Sequence, residues 1–121
     1  MIGKKTDSFK AALRVSIEEQ IKSFRKKCNY ECSICKTKVL PIDSHVDHEN
    51  HFEEILCEFL RTTNKEKPTK FQDTPDGIKS FTLNDKEYED EWKLFHENKA
   101  RLRLLCKTCN LKRPKWKNVN I

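Results

Sequence analysis

The sequence predicts a small α+β domain that a metal ion holds together, with helices around a short pair of strands. Two Cys-x-x-Cys pairs stand at 32–35 and 106–109, far apart along the chain. Apolar residues recur at helical spacing in three separate segments. Only 36% of the 121 residues are hydrophobic and 36% are charged. Because so polar a domain cannot build a large apolar core, we expect a structural metal to supply part of its stability.

The first predicted element is an amphipathic helix over 8–28, with Asp7 or Ser8 at its start. A short strand pair is predicted around Val39-Leu40 and Ser44–Asp47, interrupted at Pro41.

A second helix should open at the capping box Asn50-x-x-Glu53 and bury one apolar face. Residues 63–80 are polar, contain two prolines and a glycine, and are predicted to form an exposed loop. A third helix should open at Asn84-x-x-Glu87 and bury Tyr88, Trp92 and Phe95. A short strand over 101–105 and a final helix starting near Cys109 complete the prediction.

Four of the six cysteines are predicted to bind one structural zinc ion: Cys32, Cys35, Cys106 and Cys109. A Cys-x-x-Cys turn supplies two thiolates at the separation that tetrahedral zinc requires. Disulfides are the alternative, but no apolar signal segment follows Met1 and no apolar run approaches membrane-spanning length. We therefore expect a cytoplasmic protein without a membrane partner, in which paired cysteines favour zinc.

The other two cysteines, Cys28 and Cys57, fit the apolar stripes of their helices and are predicted to be small buried hydrophobes. Cys28 could instead replace one zinc ligand. A thiol redox enzyme is disfavoured, since it needs a single reactive dithiol in a βαβ context.

The positive charge lies at the two ends of the chain. Residues 1–28 hold eight Lys or Arg against three Asp or Glu, and residues 101–121 hold seven and none. The run 112–117 also places Trp116 among cations. Such a basic block is typical of contact with a phosphate backbone, although a solvated tail is the alternative.

Asp47 and His48 are the candidate catalytic residues. Hydrolysis of a phosphodiester needs a base for water and a cation for the developing negative charge. Asp47 could bind a hard divalent cation, Mg²⁺ or Mn²⁺, and neutral His48 could take a proton from water. Asn110, directly after the last predicted zinc ligand, could supply a second oxygen to the cation.

Three segments, in their order along the chain, resemble the zinc-bearing branch of the HNH (ββα-metal) endonucleases. They are Cys32-x-x-Cys35, Val46-Asp47-His48 and Leu105-Cys106-x-x-Cys109-Asn110. The Asp-His-x-x-His and Arg-Leu-Leu-Cys-x-x-Cys-Asn segments are similar to the phage recombination endonuclease VII group. The resemblance implies a treble-clef, ββα-metal core in which Asp47 and Asn110 hold the catalytic ion and His48 is the general base. Two departures stand out: Arg101 occupies the position of the family's middle Asn, for which Asn98 is the nearest substitute, and Lys36 replaces a common Gly.

This resemblance divides the single domain into three parts. Residues 1–28 form a basic amphipathic helix, 29–113 a zinc-bound nuclease domain with a helical insertion at about 49–100, and 114–121 a basic tail. The implied function is one-metal hydrolysis of DNA, double-stranded or branched, in a bacterial or phage-infected cell. Cutting of both strands would suggest a homodimer, whereas nicking would not require one. The alternative is a non-catalytic treble-clef zinc module that binds DNA or protein.

Several other side chains are candidates for supporting roles. By the same analogy, His51 could contact the metal or phosphate, although solvation is the alternative. His45 and His96 are predicted to be structural, and a second zinc site formed by His45, His48 and His51 is disfavoured by strand geometry. The predicted DNA contacts, for which plain solvation is the alternative, are Arg101, Arg103, Lys107, Lys112 and Arg113.

Overall fold

Residues 7–114 are the part of the chain that this computed structural model describes, and they form two small antiparallel sheets among five α-helices. In chain order the elements are α1 (Ser8–Ser16), α2 (Glu18–Lys27), β1 (His45–His48), α3 (Phe52–Thr63), β2 (Phe71–Asp73), β3 (Lys79–Phe81), α4 (Lys86–Lys99), β4 (Leu102–Leu105) and α5 (Lys107–Lys112). Strand β1 pairs with β4, and β2 pairs with β3. The predicted α+β class is confirmed.

The predicted helix over 8–28 is two helices, because the backbone breaks at Ile17. In a continuous helix the Leu13 carbonyl would accept a hydrogen bond from the Ile17 amide. Here the Ser16 hydroxyl, at 2.7 Å, and the Trp92 indole N–H, at 3.0 Å, donate to that carbonyl. The Ile17 amide donates instead to the Arg14 carbonyl. A buried serine that takes over a helix carbonyl in this way bends or ends the helix. The predicted cap at Asp7 is confirmed, since its side chain accepts from the Lys10 amide.

The predicted pairing of 39–40 with 44–47 is wrong. Strand β1 pairs with β4 in the register His45 to Leu105 and His48 to Leu102. Residues 41–43 form a short 3-10 turn, and the Val39 amide donates to the carbonyl of Tyr30, two residues before Cys32. Proline removes a ladder donor, so this segment turns and leaves β1 to a partner more than fifty residues away.

Part of the predicted loop at 63–80 is a hairpin. Strands β2 and β3 pair Phe71 with Phe81, and the turn between them contains Gly77 at φ +80°. The two rings lie 6.0 Å apart, and Phe81 is buried against the helices. The hairpin therefore closes one side of the core.

The core lies between α1, α3, α4 and β3. Its largest fully buried apolar side chains are Trp92, Phe59, Leu13 and Ile55. Phe52, Ile55 and Phe59 confirm the predicted buried face of α3. On α4, Tyr88 and Trp92 are buried as predicted, whereas Phe95 is half-buried and His96 is buried in its place.

Candidate functional site

The two Cys-x-x-Cys pairs come together in space. The sulfur atoms of Cys32, Cys35, Cys106 and Cys109 all lie within 4.8 Å of one another, and those of Cys35 and Cys106 are 3.8 Å apart. Four Zn–S bonds of about 2.3 Å in a tetrahedron would place the sulfurs about 3.8 Å apart. The four side chains therefore form a group that could hold a structural metal ion such as zinc.

The local backbone explains how these sulfurs converge. The turn at 32–37 is closed by the Cys32 amide, which donates to Thr37, and Lys36 adopts φ +67°, where a glycine is commoner. The Ser33 amide donates to the Leu104 carbonyl and ties this turn to β4. Cys106 caps α5, and its sulfur accepts from the Cys109 amide at 3.4 Å.

The thiols differ in their pKa values without a metal. Burial raises the pKa of Cys32, but backbone hydrogen bonds from Cys35, Cys106 and Ile34 outweigh it and lower the value to about 6. Burial, followed by hydrogen bonds among the thiols, raises the pKa of Cys109 to about 12. At neutral pH the group therefore retains a proton, which a metal ion bound by all four sulfurs would release.

Asp47 forms ion pairs with two arginines. Its side chain is 3% exposed. Its Oδ2 atom accepts a hydrogen bond from Arg103 Nε at 2.9 Å, and its Oδ1 atom lies 2.9 Å from Arg113 Nε in an ion pair. Arg103 is the cross-strand neighbour of Asp47 in the β1–β4 register, which places the two side chains together. Both arginines, predicted to contact DNA, are thus ion-pair partners of Asp47, and their contact with DNA stays a prediction.

Asn110 reaches the same place from α5. Its Oδ1 atom lies 3.3 Å from Arg113 Nε, the nitrogen that also contacts Asp47 Oδ1. The two oxygens predicted to hold a divalent cation therefore flank one cationic group.

His48 faces a second histidine. Since β1 continues through residue 48, the side chains of Asp47 and His48 leave the strand in opposite directions. His48 Nε2 lies 2.8 Å from Nε2 of the fully buried His96, whose Nδ1 lies 2.6 Å from Gln20 Oε1. The pKa of His48 is lowered, mainly by burial and then by the charge of Arg14, with Asp47 opposing the shift. His48 is therefore neutral at pH 7.

An open groove of about 720 Å³ runs past these residues. Asp47, His48, His51 and Arg113 line it, and α1 and α2 form another wall. From that wall Arg14 lies over the Phe52 ring, 4.0 Å from its centroid, and 3.6 Å from Glu53. Asp47 and His48 therefore border the same groove, although their side chains leave β1 in opposite directions and that of Asp47 is buried.

Asn50 fixes the loop after β1. Its amide donates to the Lys99 carbonyl and its oxygen accepts from the Arg101 amide, both at 2.8 Å. Asn50 was predicted to cap α3, which instead begins at Phe52 after His51. Asn98, which the resemblance to HNH endonucleases made the candidate for holding this loop, is exposed on α4.

The remaining basic candidates lie near the surface. Lys107 and Lys112 are exposed on α5, and exposed Arg101 pairs with Glu49 at 3.1 Å. Residues 115–121, including Trp116, lie outside the described part of the chain.

The other candidates have simpler surroundings. His45 is half-buried opposite Leu105. Cys28 and Cys57 are half-buried rather than part of the core, so their predicted burial is only partial, and both lie outside the four-cysteine group.

Sequence reasoning missed the partners of His48. His96 was predicted to be only structural, and no role was predicted for Gln20 or Arg14. One signal was available: His96 follows Tyr88 and Trp92 at four-residue steps, so it continues the buried stripe of α4 as a polar residue.

No protein-family model, curated protein or solved structure matches this chain. Among residues 7–114, even the longest helix, α4 with 14 residues, is too short and too polar to cross a membrane.

Proposed function

We propose that this chain is a metal-dependent endonuclease of the HNH (ββα-metal) type, which hydrolyses phosphodiester bonds in DNA. One observation carries the proposal: an oxygen of Asp47 and an oxygen of Asn110 both contact Arg113 Nε, beside a groove that His48 also lines. The elements that present them support it, because paired strands β1 and β4 are followed by α5, next to the four cysteines.

In this proposal Asp47 and Asn110 hold Mg²⁺ or Mn²⁺. Carboxylate and amide oxygens are the hard donors that these ions prefer, and here they already flank a positive group. His51, at the same groove, would be a further ligand. When bound, the ion would neutralise charge on the phosphate and on the leaving oxygen.

His48 would be the general base. Because it is neutral at pH 7, its imidazole can accept a proton from a water molecule in the groove. The hydroxide oxygen would form the new bond to phosphorus, and the bond from phosphorus to the leaving alkoxide would break. That alkoxide would take a proton from solvent. Arg14, on the opposite wall, would add positive charge near the phosphate.

The four cysteines would hold zinc in a structural role. The ion would join the turn at 32–37 to the start of α5, and thereby fix the helix that carries Asn110. Structural zinc contributes about 10–16 kcal/mol of binding free energy in zinc-finger peptides, which is comparable to the stability of a whole domain.

DNA, double-stranded or branched, is the proposed substrate. Lys107 and Lys112 are exposed on α5, close in sequence to Asn110 and Arg113, and would contact the backbone. Cleavage of both strands would suggest a homodimer, whereas nicking would not require one.

The test is incubation of the zinc-loaded protein with supercoiled plasmid in Mg²⁺ or Mn²⁺, with EDTA as the metal-free control. We expect metal-dependent nicking or linearisation that His48→Ala abolishes without loss of DNA binding or zinc. His45→Ala is the matched control, since it removes a half-buried histidine from the same strand and should retain cleavage. Cleavage by His48→Ala would remove His48 from the role of base.

One observation favours a second candidate, a non-catalytic zinc module that binds DNA. Both oxygens of Asp47 already have arginine partners, which is the arrangement of a purely structural ion-pair cluster. Salt-sensitive plasmid binding without cleavage in either metal would select this alternative.

A further inference from the structure

We infer that His96 and Gln20 are positioning residues that keep the His48 ring proton on Nε2 and leave Nδ1 as the atom that accepts a proton. The inference rests on the proposed function for its catalytic meaning. It concerns two elements outside the β1–β4–α5 unit, since Gln20 lies on α2 and His96 on α4.

The directions of the hydrogen bonds follow from a backbone carbonyl. Gln20 Nε2 lies 2.9 Å from the Lys93 carbonyl oxygen, which can only accept. The amide nitrogen of Gln20 must therefore face Lys93. Its Oε1 atom then faces His96 Nδ1 at 2.6 Å, and because Oε1 can only accept, His96 carries its proton on Nδ1.

The tautomer of His96 determines that of His48. Burial, followed by the nearby His48, lowers the pKa of His96 to about 4, so that its ring is neutral at pH 7. A neutral ring with its proton on Nδ1 has a lone pair on Nε2. His48 Nε2, 2.8 Å away, must then be the donor. The lone pair of neutral His48 is left on Nδ1.

This arrangement suits a base that becomes charged. When Nδ1 takes a proton from water, the Nε2–H bond to His96 becomes charge-assisted and stronger, while the ring does not need to rotate. The edge-on contact of the His48 ring with Phe52, at 5.5 Å between centroids, supports the same orientation. In this way the N-terminal helices and the insertion would contribute directly to the proposed site.

The test uses ¹⁵N-histidine NMR of the zinc-loaded protein, which distinguishes protonated from unprotonated ring nitrogens. We expect His48 protonated on Nε2 and unprotonated on Nδ1 at a pH where the ring is neutral. Gln20→Met removes the acceptor at similar size and should let His48 populate both tautomers. His96→Phe removes the acceptor of the His48 Nε2 proton and should have the same effect. A wild-type His48 protonated on Nδ1, or a pattern unchanged by Gln20→Met, would overturn the inference.

Cleavage kinetics supply the second readout. Gln20→Met and His96→Phe should lower kcat by about 10- to 100-fold with little change in KM, the range found when partners that orient histidines at metal sites are removed. An unchanged kcat in both variants would overturn the positioning role. If neither wild type nor variants cut DNA while the NMR pattern holds, the proposed function fails and the tautomer assignment stands.

Discussion

Replacing Arg113 with alanine should tighten the binding of a divalent cation, because the arginine and the cation would compete for the same oxygens. Arg113 Nε lies 2.9 Å from Asp47 Oδ1 and 3.3 Å from Asn110 Oδ1. A metal ion can reach both oxygens only if the guanidinium moves away. The free energy needed to break these contacts is therefore subtracted from the binding free energy of the ion in the wild-type protein.

The size of the effect follows from the contacts that are lost. A hydrogen bond to a charged group contributes about 1.5–3 kcal/mol. The side chain of Arg113 is 35% exposed, which favours the lower end, about 1.5 kcal/mol. Since about 1.4 kcal/mol corresponds to a factor of ten, Arg113→Ala should lower the Kd for Mn²⁺ about tenfold. Arg103 still bonds the other oxygen of Asp47, so the carboxylate keeps a partner.

The assay is titration of the zinc-loaded protein with Mn²⁺, followed by the EPR signal of the free ion. Lys112→Ala is the matched control, because it removes one positive charge from the neighbouring, exposed position. Both variants lose one positive charge, and only Arg113→Ala removes the group that contacts the two oxygens. Asp47→Asn should weaken binding in either background.

Two results would refute this reasoning. If Arg113→Ala binds Mn²⁺ no more tightly than Lys112→Ala, Arg113 does not compete with the ion. If Asp47→Asn leaves the affinity unchanged, the divalent ion binds elsewhere and the proposed ligand pair is wrong.

Three further outcomes are expected. Cys106→Ser should lose zinc and cooperative unfolding together; a folded variant with one zinc per chain would mean a different ligand set. The pKa of His96 is about 4 in the folded protein and about 6.5 in the unfolded chain. As the pH falls, the unfolded state therefore binds the proton first, and the free energy of unfolding decreases. Wild type should therefore lose about 2 kcal/mol of unfolding free energy between pH 7 and 5, and His96→Phe should lose less; equal pH slopes in urea titrations would contradict this. Trp92→Phe removes the indole donor to the buried Leu13 carbonyl and should cost about 1 kcal/mol in urea denaturation, and no loss would show that this bond is not needed.

Local sequence patterns predicted the parts of the molecule that depend on neighbouring residues. The i, i+3 and i+4 spacing of Phe52, Ile55 and Phe59 predicted the buried face of α3, since helix geometry alone puts them on one side. The two Cys-x-x-Cys turns predicted a four-sulfur group, because each turn presents two thiolates at the separation that tetrahedral zinc requires. The same patterns failed where a distant group intervened. The first helix ends early because Trp92 and Ser16 take over the Leu13 carbonyl.

The sequence by itself therefore determined the chemistry available to this protein: sulfur for a structural metal, oxygen and imidazole for a candidate site, and a basic segment near the end of the chain. Tertiary structure decided how these groups are arranged. It paired β1 with β4, placed Arg113 between Asp47 and Asn110, and joined His48 to His96 and then Gln20. The physical reason is separation along the chain: His48 and His96 are 48 residues apart and Gln20 and His96 are 76 apart, so packing of the helices, not local periodicity, brings their atoms within hydrogen-bonding distance.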